Sequence, residues 1–230
     1  MQVNAIDISN FKAKLLKKDI QTAEVIIYDD WLRNALNPLF MGKKEKYKQI
    51  KIQLKIKDID DENALNNISN FIKQLEKSTI KFDELSFYFD CTIGSKSQER
   101  KAKGKYILDV ELKSGYAYKS TVTETMNHVS SKTINVSGNL DTPAILTVTV
   151  PSDTTSLTIT GFGDSITLKN LKANIPVVVS GEDCTVLQDS SNKFGDTDMW
   201  DFPVLQPGSN TITVNIANCT ISISYKPRWT

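Results

Sequence analysis

The sequence predicts a mainly β chain with one helix, divided into two domains, the second an antiparallel sandwich. Three observations lead there. Apolar and polar residues alternate in many short runs, the period of a half-buried strand. One stretch alone, IDDENALNNISNFIKQLEKS, repeats its apolar residues at three- and four-residue steps, the period of an amphipathic helix. Composition changes near residue 126: 14 Ser and Thr residues precede this point and 27 follow it, while Lys falls from 20 to 5. A chain of 230 residues is long enough for two modest cores. We therefore expect domains at residues 1–126 and 127–230, with the polar segment 124–131 as the linker or strand crossing between them.

In the first domain Ile50, Ile52, Leu54 and Ile56 alternate with Lys51, Gln53, Lys55 and Lys57, giving a strand with one apolar and one cationic face. Lysines on the open side would discourage stray edge pairing; an acidic partner surface would use the same Lys51, Lys55 and Lys57. The helix follows. Ala64, Leu65, Ile68, Phe71, Ile72 and Leu75 form its apolar stripe, Asp60 or Asp61 is placed to cap it, and early acids with late Lys73 and Lys77 suit its dipole. Residues 80–82 and 85–89 read as short strands, and Tyr106, Leu108, Val110 and Leu112 alternate against Asp109, Glu111 and Lys113. Between them GSKSQERKAKGK, residues 94–105, is bounded by glycines, almost free of hydrophobes, and reads as an exposed hairpin loop. It has neither the interleaved aromatics nor the glycine-rich cradle of a nucleic-acid site.

The second domain reads as strands throughout. Leu146 to Val150, Leu157 with Ile159, Ile166 with Leu168, Val177 with Val179, and Val186 with Leu187 are separated by turn signals at intervals of about ten residues, the rhythm of a sandwich. Near the end Ile212, Val214 and Ile216, then Ile221, Ile223 and Tyr225, alternate on either side of a short gap, which predicts a closing β-hairpin. Pro207 and Gly208 set a tight turn before it, and Pro227 ends it because proline cannot donate to a ladder. Trp229 is expected to cap one end of the sandwich core.

Reaction chemistry is hard to find. The formal charge is +1, from 28 basic and 27 acidic residues, so nothing in the total asks for nucleic acid or a membrane surface. The halves differ, at +4 for residues 1–126 and −3 for 127–230. Cys91, Cys184 and Cys219 are odd in number and without metal-ligand spacing; they read as free thiols of a reducing compartment. No charged leader with an apolar run opens the chain and no long apolar segment interrupts it, so synthesis in the cytoplasm is expected. The single His128 lies in the linker without an orienting partner. Acidic clusters at Asp29 and Asp30, at residues 58–62, and at Asp196, Asp198 and Asp201 lack the pattern of a calcium loop, and no phosphate, dinucleotide or nucleophile-elbow motif occurs. Neither a cofactor nor a metal nor catalysis is implied. The sequence describes a binder or a builder.

Four stretches carry a resemblance: residues 50–94, then YILDVELKSGYAY, then DFPVLQPGSNTITV, and finally CTISISYKPRW. Its most specific parts are Phe202, Pro203, Leu205, Pro207, Gly208, Asn210 and Ile212 in one motif and Tyr225, Pro227, Arg228 and Trp229 in the ending. In this order they resemble the distal tail (Dit) family of long non-contractile-tailed bacteriophages, the siphovirus-type tail components, from about residue 50 to the end. That resemblance implies an N-terminal tail-tube-like β domain with a packed helix, assembled as a hexameric ring, and a galectin-like β-sandwich outside it. It implies a structural hub in the virion tail tip, made in the host bacterial cytoplasm. The hub would join the tail tube protein to a tail-associated lysin or tail fibre protein, with receptor-binding proteins as further partners. No enzyme activity is implied. The alternative is a carbohydrate-binding module for bacterial surface glycans. Of Trp200, Tyr225 and Trp229, the only Trp and Tyr residues in 127–230, Trp200 alone is left free to stack on a sugar.

Overall fold

The computed structural model describes residues 1–230, and contacts along the chain separate Met1–Tyr118 with Thr230 from Lys119–Trp229. The divide falls before the composition break at 126/127, because the strand Val122–Asn127 pairs along its whole length with Thr220–Tyr225 of the second unit.

The first unit holds strands β1 (Gln2–Val3), β2 (Ile6–Asp7), β3 (Ala13–Ile20), β4 (Val25–Asp30), β5 (Leu39–Glu45), β6 (Lys48–Lys57), β7 (Lys77–Lys81), β8 (Tyr88–Ala102) and β9 (Lys105–Tyr118), and helix α1 (Asp61–Leu75). Seven strands make one antiparallel sheet in the order β2-β1-β7-β8-β9-β6-β3, while β4 and β5 pair only with each other. The alternation in β6 works as expected: Ile50, Ile52, Leu54 and Ile56 are at most 2% exposed, and Lys51, Lys55 and Lys57 face the other way. α1 lays Ala64, Ile68, Phe71, Ile72 and Leu75 on the same core. Each large side chain so buried contributes about 1.5–3 kcal/mol. Leu65 does not join them and is 41% exposed; it stands at the margin of the stripe, one step beyond Ile72.

Two expectations for this unit are corrected. β6 is paired on both sides, with β3 and with β9, so its lysines guard no edge. Residues 94–105 are not an open loop: β8 runs to Ala102, β9 starts at Lys105, and their ladder continues through the polar segment. Backbone pairing needs no apolar side chain, and the alternation of β9 supplies the register. Only Lys103 and Gly104 turn the chain. Gly104 has φ +63°, and a Cβ there would lie 2.3 Å from the Asp58 carbonyl oxygen, so the position requires glycine.

That close approach ties the hairpin to the start of α1. Asp60 caps the helix by accepting the Asn63 amide at 2.8 Å. Asp61 accepts from Arg100 Nη2 at 2.8 Å, from the Gly104 amide at 2.8 Å and from the Tyr106 hydroxyl at 3.3 Å. The Arg100 hydrogen bond first, then the Gly104 amide, hold the Asp61 carboxyl at about 2, below its ordinary 3.8.

The second unit holds β10 (Val122–Asn127), β11 (Ser131–Val136), β12 (Thr142–Thr149), β13 (Thr154–Phe162), β14 (Asp164–Leu171), β15 (Val177–Ser180), β16 (Thr185–Gln188), β17 (Ser191–Asn192), β18 (Thr197–Asp198), β19 (Val204–Leu205), β20 (Gly208–Val214) and β21 (Thr220–Tyr225). One antiparallel sheet runs β10-β21-β12-β15-β16-β17 with β19 added to β12; the other runs β11-β20-β13-β14-β18. Leu146, Val148, Leu157, Ile159, Ile166, Leu168, Val177, Val179 and Val186, each expected on a strand, are all buried in the one core between the sheets. The outer faces pair hydroxyls across strands: Thr160 with Thr213 at 2.6 Å, and Thr133 with Thr211, Thr158 with Thr167 and Thr123 with Ser224 each at 3.0 Å. No helix is long and apolar enough to cross a membrane.

The expected closing hairpin is instead an arch. β20 pairs with β11 and β13 in one sheet and β21 with β10 and β12 in the other, so the two strands face each other across the core. Alternation alone cannot separate the two arrangements, since either one buries every second residue. β10 and β11 cross between the same sheets. The arches touch where the His128 amide donates to the Cys219 carbonyl at 3.0 Å and the Val214 amide to the Ser130 carbonyl at 2.9 Å.

The Asp61 node gives the first unit an acid-sensitive contact. A carboxyl whose folded value lies below its unfolded one stabilises fully above about pH 4 and loses that contribution as pH falls through about 2. Asp61→Asn is expected to lower stability at neutral pH and to flatten the decline between pH 4 and 2. Urea midpoints of both proteins across that range check this, and parallel curves would refute it.

Candidate functional site

Four groups of residues are candidates: the motif at 202–212, the chain ending, the lysine face of β6, and Trp200. The motif builds one corner of the sandwich. Phe202 packs half-buried against the core and stacks on Phe194 with ring centroids 6.0 Å apart. Pro203 is buried, and its carbonyl accepts the Ala144 amide at 2.9 Å. Leu205 is fully buried, in the short β19 ladder to β12. Pro207 is exposed at the turn, and Gly208 takes φ +93°, a conformation L side chains resist. Asn210 stitches the turn from beneath: its amide nitrogen donates to the carbonyls of Gln206 at 2.7 Å and Gly208 at 3.1 Å, and its oxygen accepts the Gln206 amide at 3.1 Å. Ile212 is fully buried. The residue types thus follow from turn geometry and satisfied polar groups. Sequence reasoning missed Gly181, where a Cβ would meet the Pro203 carbonyl oxygen at 2.2 Å.

At the ending, Tyr225 is 5% exposed and belongs to the core. Pro227 is buried, and its carbonyl accepts the Lys119 amide at 3.1 Å. The Arg228 carbonyl accepts the amides of Asn139 at 3.1 Å and Leu140 at 3.3 Å, and its guanidinium lies 3.7 Å from Glu182. Trp229 does not cap the core as expected. It is half-buried, outside the core cluster, with Lys119 Nζ 4.9 Å from its ring centroid, a cation–π contact. Pairing with β10 and β12 stops at Tyr225, and Pro227 breaks the alternation that would have carried Trp229 inward.

The lysine face is not a uniform cationic patch. In register Lys51 stands between Asp19 of β3 and Glu111 of β9, and next to it Gln53 donates to Asp109 at 2.9 Å. Lys55 lies between Lys14 and Ile107, and Lys57 opposite Lys105. Only the far end of the strand concentrates positive charge. Trp200 lies in the loop between β18 and β19 and is 92% exposed.

The sequence reading passed over β4 and β5. Their hairpin and its loop expose Ile27 at 59%, Trp31 at 63%, Leu36 at 93%, Phe40 at 63% and Met41 at 61%. Apolar groups face both ways, because neither face of this two-stranded ribbon is packed on a sheet or helix. The available signal was the run VIIY between Glu24 and Asp29 and the run LFM between Pro38 and Gly42, separated by a polar-apolar mixture without helical period.

The titratable groups offer no reactive arrangement. Burial pushes the Cys91 thiol up to about 12 and raises that of Cys219, which keeps both protonated and unreactive at neutral pH. All three cysteines are unpaired with one another. His128 sits at φ +52° in the turn between β10 and β11. No three His, Cys, Asp or Glu side chains gather as a metal site would require.

Asn210 gives the motif a measurable role. Asn210→Ala leaves the Gln206 amide and two carbonyls without their partner; at about 1 kcal/mol for each buried hydrogen bond it is expected to cost roughly 2–3 kcal/mol. Chemical unfolding followed by Tyr and Trp fluorescence measures this; a loss under half a kcal/mol would show the turn to be self-supporting.

Comparison with known proteins adds to this geometry. Residues 137–229 match the family model described as the siphovirus-type tail component, C-terminal domain. No curated protein matches the chain in sequence. Among solved structures, that of phage SPP1 Dit, described as a paradigm of the hub adsorption apparatus in phages infecting Gram-positive bacteria, is similar with a TM-score of 0.81 at 9% identity, over 99% of this chain and 98% of that one. The phage P2 baseplate in its activated conformation with Ca is similar at 0.57 and 10% identity, over 95% of this chain and 92% of that one. Its counterpart with Sr is similar at 0.56 and 10% identity, over the same shares. Residues 137–229 thus match the siphovirus-type tail component C-terminal domain, in a chain whose fold is similar to that of the SPP1 Dit protein along nearly its whole length.

Proposed function

We propose that the chain is a structural hub of a phage tail tip. The observation that carries this reading is the coincidence of the family match over the sandwich with a whole-length likeness to a solved hub protein. In this reading Met1–Tyr118 assembles with five other copies into a ring around the tail channel, and Lys119–Trp229 stands as an outer sandwich. The ring joins the tail tube protein on one side to a tail-associated lysin or tail fibre protein on the other, and receptor-binding proteins attach at its periphery. The protein then ends in the virion tail after synthesis in the bacterial host. Closed symmetry is the rule for homo-oligomers of this kind.

Electron microscopy of the purified full chain, with light scattering for its mass, tests the assembly. Six-fold annular particles with an open centre are expected. A chain that remains monomeric at tens of micromolar would overturn the ring.

A second reading rests on Trp200, whose 92% exposure suits a stacking platform for a bacterial surface glycan. Trp200→Ala is expected to leave the melting temperature unchanged, within about 0.5 kcal/mol, since the ring buries almost nothing. Glycan-array binding by the full chain that vanishes in Trp200→Ala would establish the lectin reading; no binding by either protein leaves the hub alone.

A further inference from the structure

Ten of the chain's exposed large apolar residues lie within residues 25–47, on the β4–β5 hairpin and its flanks. At about 150–250 Å² for each aromatic, and somewhat less for aliphatics, they expose on the order of 1,000 Å². An ordinary monomer patch is a few hundred Å², and one side of a standard protein interface is about 800 Å². An isolated two-stranded hairpin is marginal in water, so this one calls for a cover. Both of its faces are apolar, which suits insertion into a groove better than contact with a flat surface.

Such a groove exists on the same unit. It has a volume of about 620 Å³ between α1 and the β8–β9 hairpin, lined by the apolar Leu65, Ile68, Ile72 and Leu108 and by the charged Lys73, Glu76 and Lys96. Leu65 is the helix residue left 41% exposed. At the hairpin tip Asp29 and Asp30 are opposite in sign to Lys73 and Lys96 of the groove, although Glu76 also lines the groove and Arg33, Lys43 and Lys44 belong to the hairpin. Asp29 and Asp30 stand beside Trp31 on the hairpin, and neither they nor Lys73 and Lys96 make an ion pair within the chain. Donor and receiver thus occur once each on every copy.

We propose that the β4–β5 hairpin of one copy docks into the α1–β8 groove of the next, with Trp31 and Phe40 as anchors and Asp29 and Asp30 meeting Lys73 and Lys96. The contact is heterologous, head to tail, the kind that closes into a ring when its rotation divides a full turn. It rests on the ring reading and specifies which surfaces make it.

Complementation tests it with the full chain. A hairpin variant, Trp31→Ser with Phe40→Ser, and a groove variant, Leu65→Glu, are each expected to run as monomers in light scattering where wild type forms the ring. Mixed in equal amounts they are expected to form a dimer and nothing larger, because each retains the half that the other lacks. Ser69→Arg, at an exposed groove position, serves as a second groove variant that leaves the helix core intact, and unchanged thermal unfolding confirms that each variant folds. If wild type forms the ring and the hairpin variant does too, the hairpin covers something else, such as another tail protein, and the docking is overturned while the ring stands. If the hairpin variant is monomeric but no dimer appears on mixing, the groove assignment is overturned. If wild type itself is monomeric, the ring falls and the docking with it.

Discussion

The second unit depends on two chain bends that cross its core in register. β10 to β11 and β20 to β21 each leave one sheet and enter the other, and each strand of one arch pairs with a strand of the other. A slip of one residue in either arch would turn its two strands inside out, sending Met126 and Ile134, or Ile212 and Ile221, from core to solvent. The amides of His128 and Val214 fix the bends against that slip. The corner built by residues 202–210 can hold its shape because β20, which it feeds, is already committed on both sides.

The first unit is organised differently. Its sheet is covered on one face by α1; on the other, acids face Lys51 from the neighbouring strands, while lysines face one another at Lys55 and Lys57. The long β8–β9 hairpin is anchored at its tip to the helix start by Asp61, through Arg100 and Gly104. β4 and β5 pair only with each other, and their exposed apolar surface contrasts with the charge-rich outer face of the sheet.

The sequence disclosed what depends on local period. The helix with its Asp60 cap, the faces of β6 and β9, and the strands of the sandwich core were all legible, because burial on one side leaves a two- or 3.6-residue imprint. What depends on partners was not legible. The polar half of β8 has no apolar imprint, so its pairing is visible only through β9. Ile212 and Ile221 alternate identically whether their strands pair or oppose each other, so an arch was read as a hairpin. Trp229 stands beyond Pro227, where the alternation ends, so its place outside the core leaves no period to read. The motif residues were seen, but not why Asn210 is among them, since its three hydrogen bonds all go to backbone folded over it. The hairpin at residues 25–45 left the weakest trace, because a surface with no cover in its own chain follows neither the inward nor the outward pattern.

The paired hydroxyls on the outer faces of the sandwich have a consequence for how that surface meets its surroundings. A face of Thr and Ser carries almost nothing that titrates and gathers few counter-ions, so its hydration changes little with acidity or with salt. Charged β surfaces avoid sticking by mutual repulsion, which fades as ionic strength rises. Here the cross-strand hydroxyl bonds satisfy part of the polar surface internally, and water takes the rest, in brine as in dilute buffer. The shift from lysine to serine and threonine along the chain is therefore also a shift from a surface tuned by its ionic medium to one indifferent to it.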